Sequence, residues 1–160
     1  DPIGLDGGIN TFAYGGGNPL INIDPEGLAY FCMYSQSSGT ISCFDNDGKG
    51  KQVIDDAKCY AGKGKHKNNP QDQCVKDLGP LPRGWYDIGQ GYTHKKLGPL
   101  TFNLDPQSGT NMCTPLRNVM RVHGDSSSHP GSASDGCIVC GKKTREQLQR
   151  GGGGTLLVTQ

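Results

Sequence analysis

Between Val119 and Cys140 the chain brings together the residue types that nucleophilic catalysis needs. His123 closes an apolar run, Gly124 and a loop of small residues follow, and Cys137 stands behind Gly136 at the head of another apolar run. The thiolate is the reactive form of cysteine, and a neighbouring imidazole can take its proton. Gly136 would let a substrate carbonyl approach backbone amides able to hold an oxyanion. Alone, a histidine and a cysteine fourteen positions apart carry little weight, because buried structural cysteines are common.

The local motif carries more. His123-Gly124 followed by Ser134-Asp135-Gly136-Cys137-Ile138 resembles the HG and S-H-G-C-I signature of L,D-transpeptidase (YkuD-type) domains. Upstream, Cys59-Tyr60-Ala61-Gly62-Lys63-Gly64 and Gly79-Pro80-Leu81-Pro82-Arg83-Gly84-Trp85-Tyr86 resemble the YxGxG and GPxPxGxY stretches of that family's compact branch, used as type VI secretion effectors. The resemblance spans roughly residues 30 to 159. It implies a mainly β fold, a small L,D-transpeptidase-like sandwich or barrel with one short helix. It also implies Cys137 as nucleophile and His123 as general base, with Ser134, Asp135 and Gly136 forming the turn that supports thiol and oxyanion. Gly124 and Tyr60 fall on the substrate side, and no cofactor or metal is implied.

This sequence departs from the pattern in three places. Asp135 stands where the family often has histidine, and an anion beside the thiol disfavours thiolate unless it points away. Val139 replaces the arginine of larger transpeptidases, and the loop from His123 to Cys137 is shorter than theirs. Arg121 is a candidate replacement, since residues two apart on a strand share a face and a guanidinium can clamp a carboxylate. Its plain alternative is a surface salt bridge. His129, in the serine-rich loop, is expected to be exposed.

Presenting these groups requires a sheet. Residues 30–34 and 40–44 read as a hairpin, and 85–88, 100–104, 119–123, 137–140 and 155–159 as strands bounded by glycine or proline. Helix formers before Gly151 predict one helix over 142–149. Lys49, Lys51, Lys58, Lys63, Lys65 and Lys67, interspersed with Asp45, Asp47, Asp55 and Asp56, read as a solvated loop. Seven cysteines imply disulfides and an oxidising compartment. The strand reading pairs Cys32 with Cys43, Cys59 with Cys74 and Cys113 with Cys140, leaving Cys137 as the thiol; a Cys137–Cys140 link is the competing arrangement and would mask the nucleophile.

Residues 1–28 form a separate unit. Asp1-Pro2-Ile3-Gly4-Leu5 recurs as Asp24-Pro25-Glu26-Gly27-Leu28 around a glycine-rich stretch. It reads as a hairpin too small to fold alone and therefore expected to belong to something larger. The segment resembles the C-terminal end of the core of Rhs proteins, β-shells that encapsulate a toxin. That resemblance implies an aspartyl-type self-cleaving element containing Asp24, a scissile bond between Leu28 and Ala29, and a division into a shell segment (1–28) and a toxin domain (29–160). The Rhs shell and a secretion machine would then be partners.

A chain of 160 residues with 16 Lys and Arg against 15 Asp and Glu lacks the basic footprint of a nucleic-acid binder. It has no apolar run long enough to span a membrane and no signal-peptide pattern. The combined reading is a secreted antibacterial toxin acting in the target-cell periplasm on peptidoglycan peptide stems. It would work as an L,D-carboxypeptidase or by D-amino acid exchange, opposed by a cognate periplasmic immunity protein. Two rivals stand beside it. A zinc nucleobase deaminase would use His123 and the Cys137-x-x-Cys140 pair, although Asp125 replaces its required glutamate and Gly136 its proline. A disulfide-stapled binding module would explain the cysteines but not the paired motifs.

Overall fold

The structure, a computed structural model, describes residues 29–46, 49–113 and 119–160. Strands β1 (Tyr30–Ser35) and β2 (Thr40–Asp45) form the expected antiparallel hairpin. Their alternating Cys32, Tyr34, Ile41 and Cys43 are buried to one side. Next come β3 (Gln52–Ala61), β4 (Gly84–Ile88), β5 (Tyr92–His94), β6 (Gly98–Pro106), β7 (Met120–His123), β8 (Ile138–Cys140), helix α1 (Lys142–Arg150) and β9 (Gly154–Thr159). The strand order β4-β9-β1-β2-β3-β8-β7-β6 closes on itself because β4 also pairs with β6, giving an eight-stranded barrel; β5 hangs on β6 outside the ring.

Closure removes the sheet edges, and a barrel of this size is filled by its own side chains. Tyr34, Ile41, Ile54, Tyr86, Phe102 and Leu156 are each no more than 2% exposed and share one core. Tyr86 donates its hydroxyl to the Pro82 carbonyl (2.8 Å), so the GPxPxGxY stretch packs the barrel. Helix α1 is short and mostly polar. It buries Thr144 and Leu148, and Gln147 donates to the Val53 carbonyl (2.9 Å). Among the described residues no helix is long and apolar enough to cross a membrane.

Three expectations are corrected. Residues 52–61 are a ten-residue strand in the middle of the barrel wall, not part of a solvated loop. A bulge disguises them: between the pairs Ile41↔Ala57 and Cys43↔Ile54, β3 uses one residue more than β2, and Asp56 sits at φ +37° with its amide on Ser42 Oγ (3.0 Å). The extra residue breaks the alternation by which a strand is recognised. The disulfide pairing fails for the same reason. Antiparallel pairing of β3 with β8 sets Cys59 opposite Cys140, and these two are bonded, with Cα atoms 4.4 Å apart. Cys74 joins Cys113, so the Cys59–Cys74 and Cys113–Cys140 links do not form, whereas Cys32–Cys43 does. Val119, at φ +63° and 60% exposed, precedes its strand, and Cys137 sits just ahead of β8. The N-terminal hairpin, Asp24 and Leu28 lie outside the described residues, and Ala29 is the first residue inside them.

Candidate active site

Strands β7 and β8 run parallel with Val122 opposite Ile138 and His123 opposite Val139. Met120, Val122, Ile138 and Cys140 belong to the core. Alternation therefore turns Arg121, His123 and Val139 to the outer face, where Cys137 follows the same parity. Arg121, His123, Asp135 and Cys137 line one cavity of about 260 Å³, together with His94 and Lys96 from the β5–β6 hairpin. Cys137 is half-buried and is the cysteine outside the disulfides.

His123 is 1% exposed, and its Nδ1 donates to the Gly124 carbonyl at 2.7 Å. That bond fixes the tautomer: the hydrogen is on Nδ1 and Nε2 keeps its lone pair for a proton. Burial holds the imidazole below its ordinary pKa. The bond to Gly124 opposes this, Arg145 and Arg121 add to it, and Asp125 opposes it again. The result is a neutral base near neutral pH.

The thiol-bearing turn is held from below by the YxGxG segment. Ser134 is fully buried, and its hydroxyl donates to the Cys137 carbonyl (2.6 Å) while accepting from the amides of Gly62 (2.8 Å) and Gly136 (3.1 Å). Gly62 reaches it at φ +76°, in a position where a Cβ would lie 2.7 Å from the Leu78 carbonyl oxygen. Gly136 has φ +121°, a region that side-chain-bearing residues avoid. On either side of Ser134, the Ala133 amide donates to Tyr60 Oη (3.1 Å) and the Asp135 carboxylate pairs with Lys63 Nζ (2.5 Å). Three consecutive turn residues are thus fixed by Tyr60, Gly62 and Lys63, and the Asp135 charge is drawn toward a lysine.

Two residues assigned to the substrate side lie elsewhere. Tyr60 bounds a separate cavity, and its hydroxyl donates to Asp125 (2.6 Å) under the ammonium of Lys67, which sits 4.5 Å from the ring centroid. Desolvation and the Asp125 bond push its pKa up, so it remains a protonated brace. Asp125 in turn collects the amides of Ser126 and Gly131 (2.8 Å each), folding the serine-rich loop; His129 is exposed on it. Gly124 serves through its carbonyl, and its Cα faces Arg145, which bonds the carbonyls of Cys140 (3.1 Å) and Pro99 (2.7 Å). Arg121 does reach the cavity, bonded through Nε to Tyr92 Oη (3.0 Å) and Asn103 Oδ1 (3.3 Å) rather than to an acid. Sequence reasoning missed His94, Tyr92, Asn103 and Arg145. The first three depend on the short β5 strand or its neighbour, and Arg145 on where the helix docks.

The fold has solved counterparts. Bd1075 from Bdellovibrio bacteriovorus superposes with a TM-score of 0.59 at 18% identity, over 88% of this chain and 51% of that one. The helical cell shape determining protein Pgp2 from Campylobacter jejuni gives 0.57 at 13%, over 88% and 50%. An L,D-transpeptidase (Yku) from Stackebrandtia nassauensis gives 0.51 at 14%, over 89% and 60%. The chain thus spans about half to three fifths of the length of these proteins, and at such identities they share its fold. A search of curated protein sequences found no match. The Tlde1 domain, in contrast, matches residues 55–153, the stretch that runs from the bulge of β3 through the turn holding Cys137 to the end of α1. With that match covering more than half of its residues, the chain belongs to the Tlde1 domain family of type VI secretion effectors.

Proposed function

We propose that this domain is a peptidoglycan-directed toxin that works by acyl transfer through Cys137. The observation that carries the reading is the convergence of Cys137 and a neutral, oriented His123 in one cavity of a Tlde1-family barrel. His123 Nε2 takes the thiol proton, and the thiolate attacks the carbonyl of an L-centre followed by a D-residue in a peptide stem. In this reading the oxyanion is held by backbone amides of the turn around Cys137 other than that of Gly136, which is bonded to Ser134 Oγ. His123 then protonates the departing amine, leaving a thioester and a free D-amino acid. Water releases the shortened stem and restores the thiol, which is L,D-carboxypeptidase chemistry; another D-amino acid releases an exchanged stem. Either outcome removes donor stems for crosslinking.

The same reading places the toxin in the periplasm of the target cell, with an immunity protein in the producer, and keeps residues 1–28 as the end of an Rhs shell cut between Leu28 and Ala29. It also disfavours the rivals. Cys140 is bonded to Cys59, so the second thiolate of a zinc-binding Cys-x-x-Cys pair is taken; seven cysteines leave one over in any case, but a binding module does not explain why the one left shares a cavity with His123. Mass spectrometry of muropeptides incubated with the protein tests the activity. Shortened or exchanged stems with wild type and none with Cys137→Ala or His123→Ala are expected, and unaltered stems with folded wild type would refute it.

A further inference from the structure

The barrel closes without β5, so this strand is not needed to complete the ring. Its Tyr92 donates a hydroxyl hydrogen to Asn103 Oδ1 (2.9 Å) on β6 and accepts one from Arg121 Nε (3.0 Å) on β7. Asn103 and Arg121 are register partners, and Asn103 Oδ1 also accepts from Nε (3.3 Å). The brace crosses three adjacent strands and grips the guanidinium by Nε alone. The two terminal nitrogens have no hydrogen-bond partner among the described residues, on a side chain that lines the Cys137 cavity. A guanidinium held this way offers the fork that matches a carboxylate.

The neighbouring turn adds a donor. His94 Nδ1 accepts from the amides of Lys96 (3.1 Å) and Leu97 (3.2 Å), so Nε2 carries the ring hydrogen, and His94 lines the same cavity. Position along β7 says which carboxylate would be read. Arg121 and His123 share a face about 6.5 Å apart along the strand. A straight path from one hydrogen bond through the amine, its Cα and its α-carboxylate to a second hydrogen bond is about 10 Å, so two side chains rooted this close can hold both ends of one departing residue.

We propose that Tyr92 and Asn103 are positioning residues that fix Arg121, with His94 beside it, as a reader of the free α-carboxylate on the departing residue, which makes the domain specific for stem termini over internal bonds. The inference rests on the acyl-transfer reading above and deepens it. The test uses the oxidised protein and a peptidoglycan stem tetrapeptide ending in a D-amino acid, as free acid and as carboxamide. Wild type should turn over the acid at least tenfold better in kcat/KM. Tyr92→Phe and Asn103→Ala should raise KM for the acid with kcat within about threefold and leave the amide unchanged, and Arg121→Gln should erase the preference. Arg121→Lys should not restore it, because an ammonium cannot be gripped at one nitrogen while presenting others. Binding of D-alanine against D-alaninamide to Cys137→Ala, followed by calorimetry, reads the same preference without turnover. Equal handling of acid and amide, or a Tyr92→Phe loss that falls on them alike, overturns the proposal. Acid-selective binding without Cys137-dependent turnover would instead sink the acyl-transfer reading alone.

Discussion

Replacing Ser134 with alanine removes one oxygen and strands three backbone groups. The hydroxyl uses its single hydrogen and both lone pairs, on the Cys137 carbonyl and the amides of Gly62 and Gly136, in a residue with no exposed surface. A buried amide left without a partner costs about 1–3 kcal/mol, and two are left here; the carbonyl beside half-buried Cys137 is better placed to recruit water. A loss of roughly 2–6 kcal/mol follows, which at ~3 °C per kcal/mol for a domain of this size lowers Tm by roughly 6–18 °C. The Cys59–Cys140 disulfide still ties down the strand after the turn, so the variant should fold. Activity should fall further than stability implies, by about 100-fold, if the thiol drifts by ~1 Å. Thermal unfolding without reductant, the rate of Cys137 alkylation and stem turnover measure the three effects. Ser132→Ala is the control, since its hydroxyl makes an exposed bond to the His129 carbonyl (2.7 Å). A Ser134→Ala protein within about 0.5 kcal/mol of wild type, with Cys137 alkylated at the wild-type rate, would refute the claim that this hydroxyl organises the turn.

Non-reducing peptide mapping should recover Cys59 linked to Cys140 and Cys74 to Cys113. Replacing Cys59 and Cys140 by serine, which opens a separation of 81 residues, should cost about 4–5 kcal/mol by the chain-entropy estimate, against about 3 kcal/mol for the 11-residue Cys32–Cys43 link; denaturant titration giving the reverse order would contradict it. Burial, Arg145 and Arg121 keep His123 below 6.5, and the base works unprotonated. Removing a cation lets the ring hold its proton to higher pH, so Arg145→Gln should move the acid limb of kcat/KM upward while Arg145→Lys leaves it nearly in place; a downward move is the refuting result. Because the unfolded chain binds this proton more readily, the His123 contribution to stability is full above about 6.5 and declines as pH falls toward the folded value. Gly136→Ala, forced to φ +121°, should lose about 1–3 kcal/mol and most of the turnover; unchanged turnover would show that the turn tolerates a side chain.

Strands with unbroken alternation, such as β2, β4 and β9, were legible in the sequence, as was the helix before Gly151. The strand β3 was not, because the Asp56 bulge shifts the phase of its apolar residues and its polar face is rich in charge. Nor was β5, three residues long and closed off by glycine. The cysteine pairing followed these errors, since register between β3 and β8 is set by residues some eighty positions apart. At the site, Cys137 and His123 could be singled out because each lies in a compact local motif, whereas the Arg121 brace is assembled from three strands.

The YxGxG segment is the case where the pattern was visible and its role was not. Read as a line of residues, Tyr60 faces the substrate; in the barrel its hydroxyl is spent on Asp125 and Ala133. The spacing of the motif follows from that duty. Tyr60 must reach Ala133, the Gly62 amide must reach Ser134 through a backbone that the Leu78 carbonyl leaves no room to substitute, and Lys63 must reach Asp135. An aromatic hydroxyl, a glycine and a cation at these positions therefore form one rigid cradle for the turn that carries Cys137. The two motifs, more than seventy positions apart, constrain each other through that contact. Tyr60 therefore positions the turn, and the carboxylate reader proposed above rests instead on Arg121, held by Tyr92 and Asn103, which no motif marked.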